Sequence, residues 1–140
     1  MSIYRLAVPL KPKPKPRGQL NKYGAMTHSL NGYREWQTEY LKHIALTEFK
    51  IPLGFYGMIF QFNIRQGVGG LADVSNLQGG VEDILVKAKL IKDDNYRILR
   101  HYAAFALEID KKKTEDCSSI ILYVTETKKE FLYTYDKFSD

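Results

Sequence analysis

Apolar residues recur at helical spacing in two segments of the chain, residues 29–49 and 75–90. Side chains three or four positions apart share one face of a helix, so each stripe is the face expected to pack on a core. The stripes consist of Tyr33, Trp36, Tyr40, Leu41 and Ile44 in the first segment, and of Leu77, Val81, Ile84, Leu85 and Ala88 in the second. The pattern predicts two amphipathic helices, and Ser75 with Gln78 fits a capping box at the start of the second.

Four other segments are rich in the β-branched and aromatic residues typical of strands: residues 3–10, 53–64, 97–109 and 119–126. The last two are separated by a polar turn and are predicted to pair as a hairpin. In the tail, residues 127–140, charged residues alternate with aromatic ones, which indicates a further strand or a surface packed against a partner subunit. The order β-α-β-α-β-β predicts a single α+β domain in which two helices pack on a mixed sheet.

The length of the chain, 140 residues, suits one domain with a substantial core. No apolar stretch approaches the ~20 residues of a membrane span, and the N-terminus lacks the apolar region of a secretory signal. Cys117 is the single cysteine, so no disulfide can form within the chain. We therefore expect a cytoplasmic protein with no membrane-spanning segment.

Positive charge is concentrated near the start of the chain. Residues 1–50 carry nine Lys or Arg and three Asp or Glu, a net charge of +6, whereas residues 51–140 carry twelve and thirteen, a net of −1; together they give the overall +5. Cations alternate with prolines from Lys11 to Arg17, and proline holds such a segment extended and exposed.

We interpret residues 11–24 as a basic, Pro-rich exposed loop suited to a phosphate backbone. A stiff linker, or charge that serves solubility alone, is the structural alternative. The candidate nucleic-acid contacts in this loop are Lys11, Lys13, Lys15, Arg17 and Lys22.

Acidic and amide residues are concentrated in a later segment, from Asp73 to Asp94. Asp73 follows a glycine-rich loop and precedes the second helix. Asn76 and Asp83 lie seven residues apart within that helix, and Asp93 and Asp94 follow it. Oxygen ligands of this kind suit a hard cation such as Mg²⁺, which supports phosphodiester cleavage by activating water.

The two ends of this acidic segment can meet only if the strand that follows the second helix pairs beside the strand that precedes Asp73. The structural alternatives are a turn residue at Asp73, a solvated helix face at Asp83 and a polar turn at Asp93-Asp94. The residues alone leave these alternatives open.

The spacing of these residues resembles that of the RusA family of Holliday-junction resolvases. The family carries Asp-x-Asp-Asn-Leu, an Asp seven residues after the Asn, and Asp-Asp beyond an apolar helix end. The matching residues here are Asp73, Asn76, Leu77, Asp83, Asp93 and Asp94. The likeness extends more loosely along the whole chain, which the resemblance identifies as one nuclease domain with a C-terminal extension at residues 127–140.

The resemblance implies a Mg²⁺-dependent endonuclease, with Mn²⁺ as an alternative metal, that acts as a homodimer and resolves four-way DNA junctions in recombination and repair. It implies that Asp73 and Asp94 bind the metal with Asp93 beside them, and that Asp83 supports catalysis. The basic loop would contact the DNA.

Two positions depart from the family pattern. Ser75, beside the shared Asn76, stands where the family has its second Asp, and Gly79 stands where it commonly has a Lys. Loss of a negative ligand should weaken metal binding unless Asp83, Asp93 or water compensates. Loss of the Lys removes a phosphate or transition-state contact, for which Arg65, Lys87 and Lys92 are candidate substitutes. The alternative function is therefore a junction- or DNA-binding protein of the same fold with weak or no nuclease activity.

Overall fold

The computed structural model describes residues 4–11, 13, 18–20, 26–28, 32–47, 50–51, 55–65, 74–91, 101–109 and 120–138. Six strands and three helices lie within these ranges. In chain order they are β1 (Tyr4–Val8), β2 (Gly18–Leu20), β3 (Met26–His28), α1 (Tyr33–Thr47), β4 (Gly57–Arg65), α2 (Val74–Lys87), β5 (His101–Ile109), β6 (Ile120–Thr125) and α3 (Lys128–Phe138).

The main sheet contains four strands in the order β1-β6-β4-β5. Strand β6 is antiparallel to both β1 and β4, whereas β5 is parallel to β4, with Gly57 opposite His101 and Arg65 opposite Ile109. Strands β2 and β3 form a separate antiparallel pair, so part of the segment 11–24 is a strand. The mixed sheet with helices packed on it confirms the predicted α+β class.

Both faces of the main sheet are covered by helices. Helices α1 and α2 pack on one face, and the buried members of their apolar stripes join Phe60 and Phe62 of β4 in the larger core. Helix α3 packs on the other face, where Phe131 contacts Ile59 and Tyr123. The two helices predicted from apolar spacing are thus confirmed, and the residues of both stripes are buried except Leu41 and Ala88, which are partly buried.

The hairpin predicted between residues 97–109 and 119–126 is wrong. Strand β5 lies at an edge of the sheet, and β6 lies in its interior between β1 and β4. Tyr123 and Val124 of β6 face opposite sides of the sheet and are both buried, as suits a strand that lies between two others and has helices on both faces. Strand β5 carries exposed residues at His101, Tyr102 and Ala106, which an edge tolerates.

The C-terminal tail forms a helix, so the predicted further strand is wrong as well. The backbone N–H of Glu130 donates to the hydroxyl of Thr127 at 3.2 Å, which is half of a Thr-x-x-Glu capping box. Phe131, Tyr135 and Phe138 follow at helical spacing and pack on the sheet, Tyr135 against Phe105 and Phe138 against Tyr123. The capping box and this spacing were the sequence signals for the helix.

The capping box predicted at Ser75 and Gln78 is also wrong. Helix α2 begins at Val74, so Ser75 already lies inside its first turn, with an exposed side chain. The amide of Gln78 instead donates to the carboxylate of Glu82, one turn further along the helix. Ser75 therefore has no capping role that would account for its presence.

Among the described residues, no helix has both the length and the apolar character needed to cross a membrane.

Helix α2 ends in a Schellman motif built without glycine. The N–H of Leu90 donates to the carbonyl of Leu85, and that of Lys89 to the carbonyl of Val86, both at 3.0 Å. This geometry places Lys89 in the left-handed region, with φ at 59°. A residue with a Cβ is strained there by about 1 kcal/mol or more, whereas glycine is not.

We predict that Lys89→Gly raises the free energy of unfolding by about 0.5–1 kcal/mol, because glycine relieves this strain and the gain exceeds the added freedom of the unfolded chain. Urea denaturation measures the change. Lys89→Ala is the matched control, since it removes the charge and keeps the strain. A Lys89→Gly variant no more stable than Lys89→Ala would contradict the prediction.

Candidate nucleic-acid interface

Three strands of the main sheet end at one edge. Strands β1 and β4 are each antiparallel to β6 and hence parallel to one another, and β5 is parallel to β4. Val8, the last residue of β1, is level with Phe62 because both lie opposite Ile120, and β4 and β5 continue three residues further, to Arg65 and Ile109. We call the side of the sheet formed by the carboxyl ends of these strands, at Val8, Arg65 and Ile109, the upper edge. It is distinct from the two edge strands, β1 and β5. Ligands of parallel sheets bind beyond the carboxyl ends of the strands, which is this edge.

Helices α1 and α2 run parallel to one another, away from the upper edge, and α1 begins about 13 Å further from that edge than α2 does, level with Asp83. Lys87 donates to the amide oxygen of Gln37 at 3.0 Å, and Asp83, one turn earlier on α2, lies beside Tyr33, one turn earlier on α1. The positive ends of both helix dipoles therefore point toward the upper edge. Helix N-termini favour anions such as phosphate, through this dipole and through free backbone N–H groups.

The start of the basic loop is fixed over the beginning of α1. The indole N–H of Trp36 donates to the carbonyl oxygen of Lys11 at 2.8 Å, and the Lys11 side chain is exposed. A Cβ added at Gly32, whose φ is +71°, would lie 3.1 Å from Nζ of Lys13. Glycine at this position thus leaves room for the lysine against the helix entrance. Two of the five predicted DNA contacts are thereby placed at the upper edge.

The other three predicted contacts of the loop, Lys15, Arg17 and Lys22, lie outside the described residues. Sequence reasoning did not identify the Trp36–Lys11 hydrogen bond that anchors this loop. A usable signal was present, because a buried tryptophan needs an acceptor for its N–H, and residues beside prolines have carbonyl groups free of regular structure.

Asp83 lies at the interface between α1 and α2. Burial raises the pKa of Tyr33, and the negative charge of Asp83 raises it further, while the Gln37 side chain opposes the shift. Asp83 lies about 13 Å along α2 from Val74, at 1.5 Å per residue. Asp83 therefore lies well below the start of α2 and next to the helix–helix contact.

The hydroxyl group of Tyr33 is buried, and no hydrogen bond of ordinary geometry to it is formed by the described residues. The neighbouring Gln37 instead uses its amide oxygen to accept from Lys87.

Lys87 is one of the residues considered as a substitute for the lysine that the family has at position 79. Lys87 lies at the last position of α2, about 20 Å from its start, and is thus no replacement for a phosphate contact near Asp73.

The remaining acidic candidates, Asp73, Asp93 and Asp94, lie outside the described residues. Within the described ranges, no three His, Cys, Asp or Glu side chains come together in a way that could hold a metal ion. Asn76 lies in the first turn of α2, beside Ser75. The structure therefore fixes the two ends of α2, which are the attachment points of the segments that carry these acidic residues.

Those attachment points limit how Asp73 and Asp94 can share an ion. Asp73 directly precedes Val74, at the start of α2, and Asp94 follows Ile91 by three residues. The helix is about 21 Å long, and three residues span at most about 11 Å. The strand pairing that a shared site requires is present, since β5 lies beside β4. Its parallel direction nevertheless means that residues 92–94 must turn back along α2 to bring Asp94 to Asp73.

No protein-family model matches the chain, and no curated protein matches it. The resemblance to the RusA family therefore rests on the residues of the 73–94 segment and on the order of the elements around it.

We predict that Tyr33→Phe leaves the free energy of unfolding at pH 7 unchanged or raises it by up to about 1 kcal/mol, because it removes a buried hydroxyl that lacks a good partner. The variant should also resist alkali better. The folded state holds the pKa of Tyr33 above the ordinary value of 10.0. The neutral hydroxyl therefore contributes fully to the free energy of unfolding well below pH 10, and this contribution is lost as the pH rises further.

Urea denaturation at pH 7, 9 and 10.5 measures both effects, and Tyr133→Phe, at an exposed position on α3, is the matched control. The native protein should lose more stability between pH 9 and 10.5 than Tyr33→Phe does. An equal loss in both proteins would contradict the role given to the buried hydroxyl.

Proposed function

We propose that this chain is a Mg²⁺-dependent DNA endonuclease that cleaves four-way junctions as a homodimer, in recombination or repair. The observation that carries the proposal is the arrangement of the upper edge. The anchored start of the basic loop, the N-termini of two parallel helices and the attachment point of Asp73 all face that side of the sheet.

Each of these groups has a separate role in the proposal. Lys11 and Lys13 hold a phosphate backbone against the entrance of α1, where the helix dipole also favours negative charge. Asp73 and a carboxylate of the pair Asp93-Asp94 would hold the divalent cation. The chemistry that such a cation supplies is the activation of water and the neutralisation of phosphate charge.

The donor set fits a hard cation, because carboxylates are the ligands that Mg²⁺ and Mn²⁺ accept. Ser75 lies in the first turn of α2 with an exposed side chain, one turn or less from Asp73. It offers a neutral hydroxyl where the family has a carboxylate. This observation favours a second candidate function: a junction-binding protein that keeps the basic loop and the fold but has little or no nuclease activity.

The deciding experiment compares nicking of a synthetic four-way junction by the native protein and by Asp73→Asn, with and without Mg²⁺. We predict metal-dependent nicking that falls by about 10²–10³-fold in the variant, since a lost ligand removes several kcal/mol of transition-state stabilisation. Asparagine suits this test because it caps a helix as well as aspartate does, so α2 keeps its start. Asp136→Asn, at an exposed position on α3, is the matched control.

Binding of the junction by the native protein without any metal-dependent nicking would overturn the endonuclease and leave the second candidate. Ser75→Asp then gives a further comparison in the same assay. If the site lacks one ligand, the variant should nick at lower Mg²⁺ concentration than the native protein. An inactive native protein that remains inactive as Ser75→Asp would establish the binding function.

The role of the basic loop is tested by the salt dependence of junction binding. We predict that the double variant Lys11→Gln/Lys13→Gln binds more weakly, with the slope of log K against log salt concentration reduced by about 1.8, or about 0.9 for each lost phosphate contact. Lys128→Gln/Lys129→Gln removes two exposed charges from α3, on the other face of the sheet, and should leave the slope unchanged. Equal slopes in the two double variants would overturn the assignment.

A further inference from the structure

Strand β5 forms an edge of the main sheet, and no strand among the described residues pairs with its outer side. Its first seven residues, from His101 to Leu107, include no Lys, Arg, Asp, Glu or Pro. Exposed edges of natural sheets are commonly protected by such residues, because free backbone N–H and C=O groups otherwise pair with another chain. The outer side of β5 is therefore suited to pairing.

Apolar side chains are exposed on both faces of the sheet near this edge. Tyr102, on the face that carries α1 and α2, is 55% exposed, and Ala106 on the same face is exposed too. On the opposite face, Tyr135 of α3 packs edge-on against Phe105. Leu132, one turn before Tyr135 and on the same side of α3, is 50% exposed.

The sequence of β5 is complementary to itself in one antiparallel register. With Ala104 on a two-fold axis, Tyr102 lies opposite the partner's Ala106, and Phe105 lies opposite the partner's Ala103. Each large aromatic residue thus meets an alanine, and paired residues lie on the same face of the sheet.

The same register is complementary in charge. Counted along the sequence, the register sets position 108, a Glu, opposite position 100, an Arg that lies outside the described residues. Two-fold symmetry repeats this match, so the sequence has opposite charges at both ends of the register. Directly opposed unlike charges favour a strand register, and like charges disfavour it.

We propose that β5 pairs antiparallel with β5 of a second copy of this chain, with Ala104 on the two-fold axis. The two four-stranded sheets then join into one of eight strands. A two-fold axis perpendicular to the sheet makes the interface isologous, with the same surface contributed by both copies. The proposal names the dimer surface of the proposed endonuclease, but its argument rests on β5 alone.

Sedimentation equilibrium without DNA or Mg²⁺ tests the interface independently of nuclease activity. The native protein should be a dimer at micromolar concentration, and Ala106→Lys should weaken the dimer at least tenfold, because it places a charge opposite the partner's Tyr102. Position 106 is exposed, so the variant should keep its circular dichroism spectrum. Tyr133→Lys, exposed on α3, is the control. A monomeric native protein would overturn the proposal.

Disulfide trapping tests the register on a Cys117→Ser background, which removes the single native cysteine. Tyr102→Cys and Ala106→Cys proteins are oxidised separately and as an equal mixture. Only the mixture should cross-link efficiently, because opposed residues have Cβ atoms about 5 Å apart, whereas identical positions lie four residues apart along the paired strands, about 13 Å. Cross-linking of either variant with itself, or none in the mixture, would overturn the register.

Discussion

Strands β4 and β5 run side by side in the same direction over the full length of both, from Gly57 opposite His101 to Arg65 opposite Ile109. Glycine at the first of these pairs allows the close approach, since a Cβ there would lie 2.6 Å from the carbonyl oxygen of His101. Parallel strands cannot be joined by a tight turn, so the chain must return from the carboxyl end of β4 to the amino end of β5. Helix α2 makes that return. The direction of β5 therefore determines that Asp73 attaches at the upper edge and that Asp94 attaches beyond the opposite end of α2.

Polar contacts between described residues help to hold the two helices on this face in register. Lys87 bonds to Gln37, and the charge of Asp83 lies beside the buried hydroxyl of Tyr33. Most of the stabilisation comes instead from the apolar stripes of both helices, because burial of large apolar side chains outweighs individual hydrogen bonds. The parallel alignment of α1 and α2 has a functional consequence. It directs two helix N-termini toward the edge at which the basic loop begins.

The sequence was sufficient to predict helices α1 and α2, because the apolar residues of each fit only the helical period. In α1 these residues are Tyr33, Trp36, Tyr40 and Ile44. It was insufficient for the tail, where Phe131, Tyr133 and Tyr135 also satisfy the two-residue period of a strand. Burial resolves that ambiguity, since Phe131 is buried and Tyr133 is 56% exposed. The hairpin failed for another reason. Neighbours in sequence often pair, but β6 buries both faces and so takes an interior position that sequence proximity does not indicate.

The candidate site could be predicted only in part, for the same reason. The chemistry of Asp73 and of the lysines is readable from residue type, but their relative position depends on strand direction, which no residue encodes locally. The structure brings Lys11 and Lys13 to the side of the sheet from which Asp73 departs, although more than fifty residues separate them in sequence. It also places Asp83 against α1, about 13 Å along α2 from its start.

Strand pairing and the upper edge, taken together, define the shape of the proposed dimer. In an antiparallel pair centred on Ala104, Ile109 of each copy lies five residues from the axis, or about 16 Å along the strand. The two upper edges then point in opposite directions and lie about 33 Å apart along the strands, close to one turn of B-form DNA. Because the two-fold axis is perpendicular to the sheet, α1 and α2 of both copies cover the same face. A branched DNA resting on that face would meet two basic loops and two Asp73 segments related by the symmetry of the junction itself.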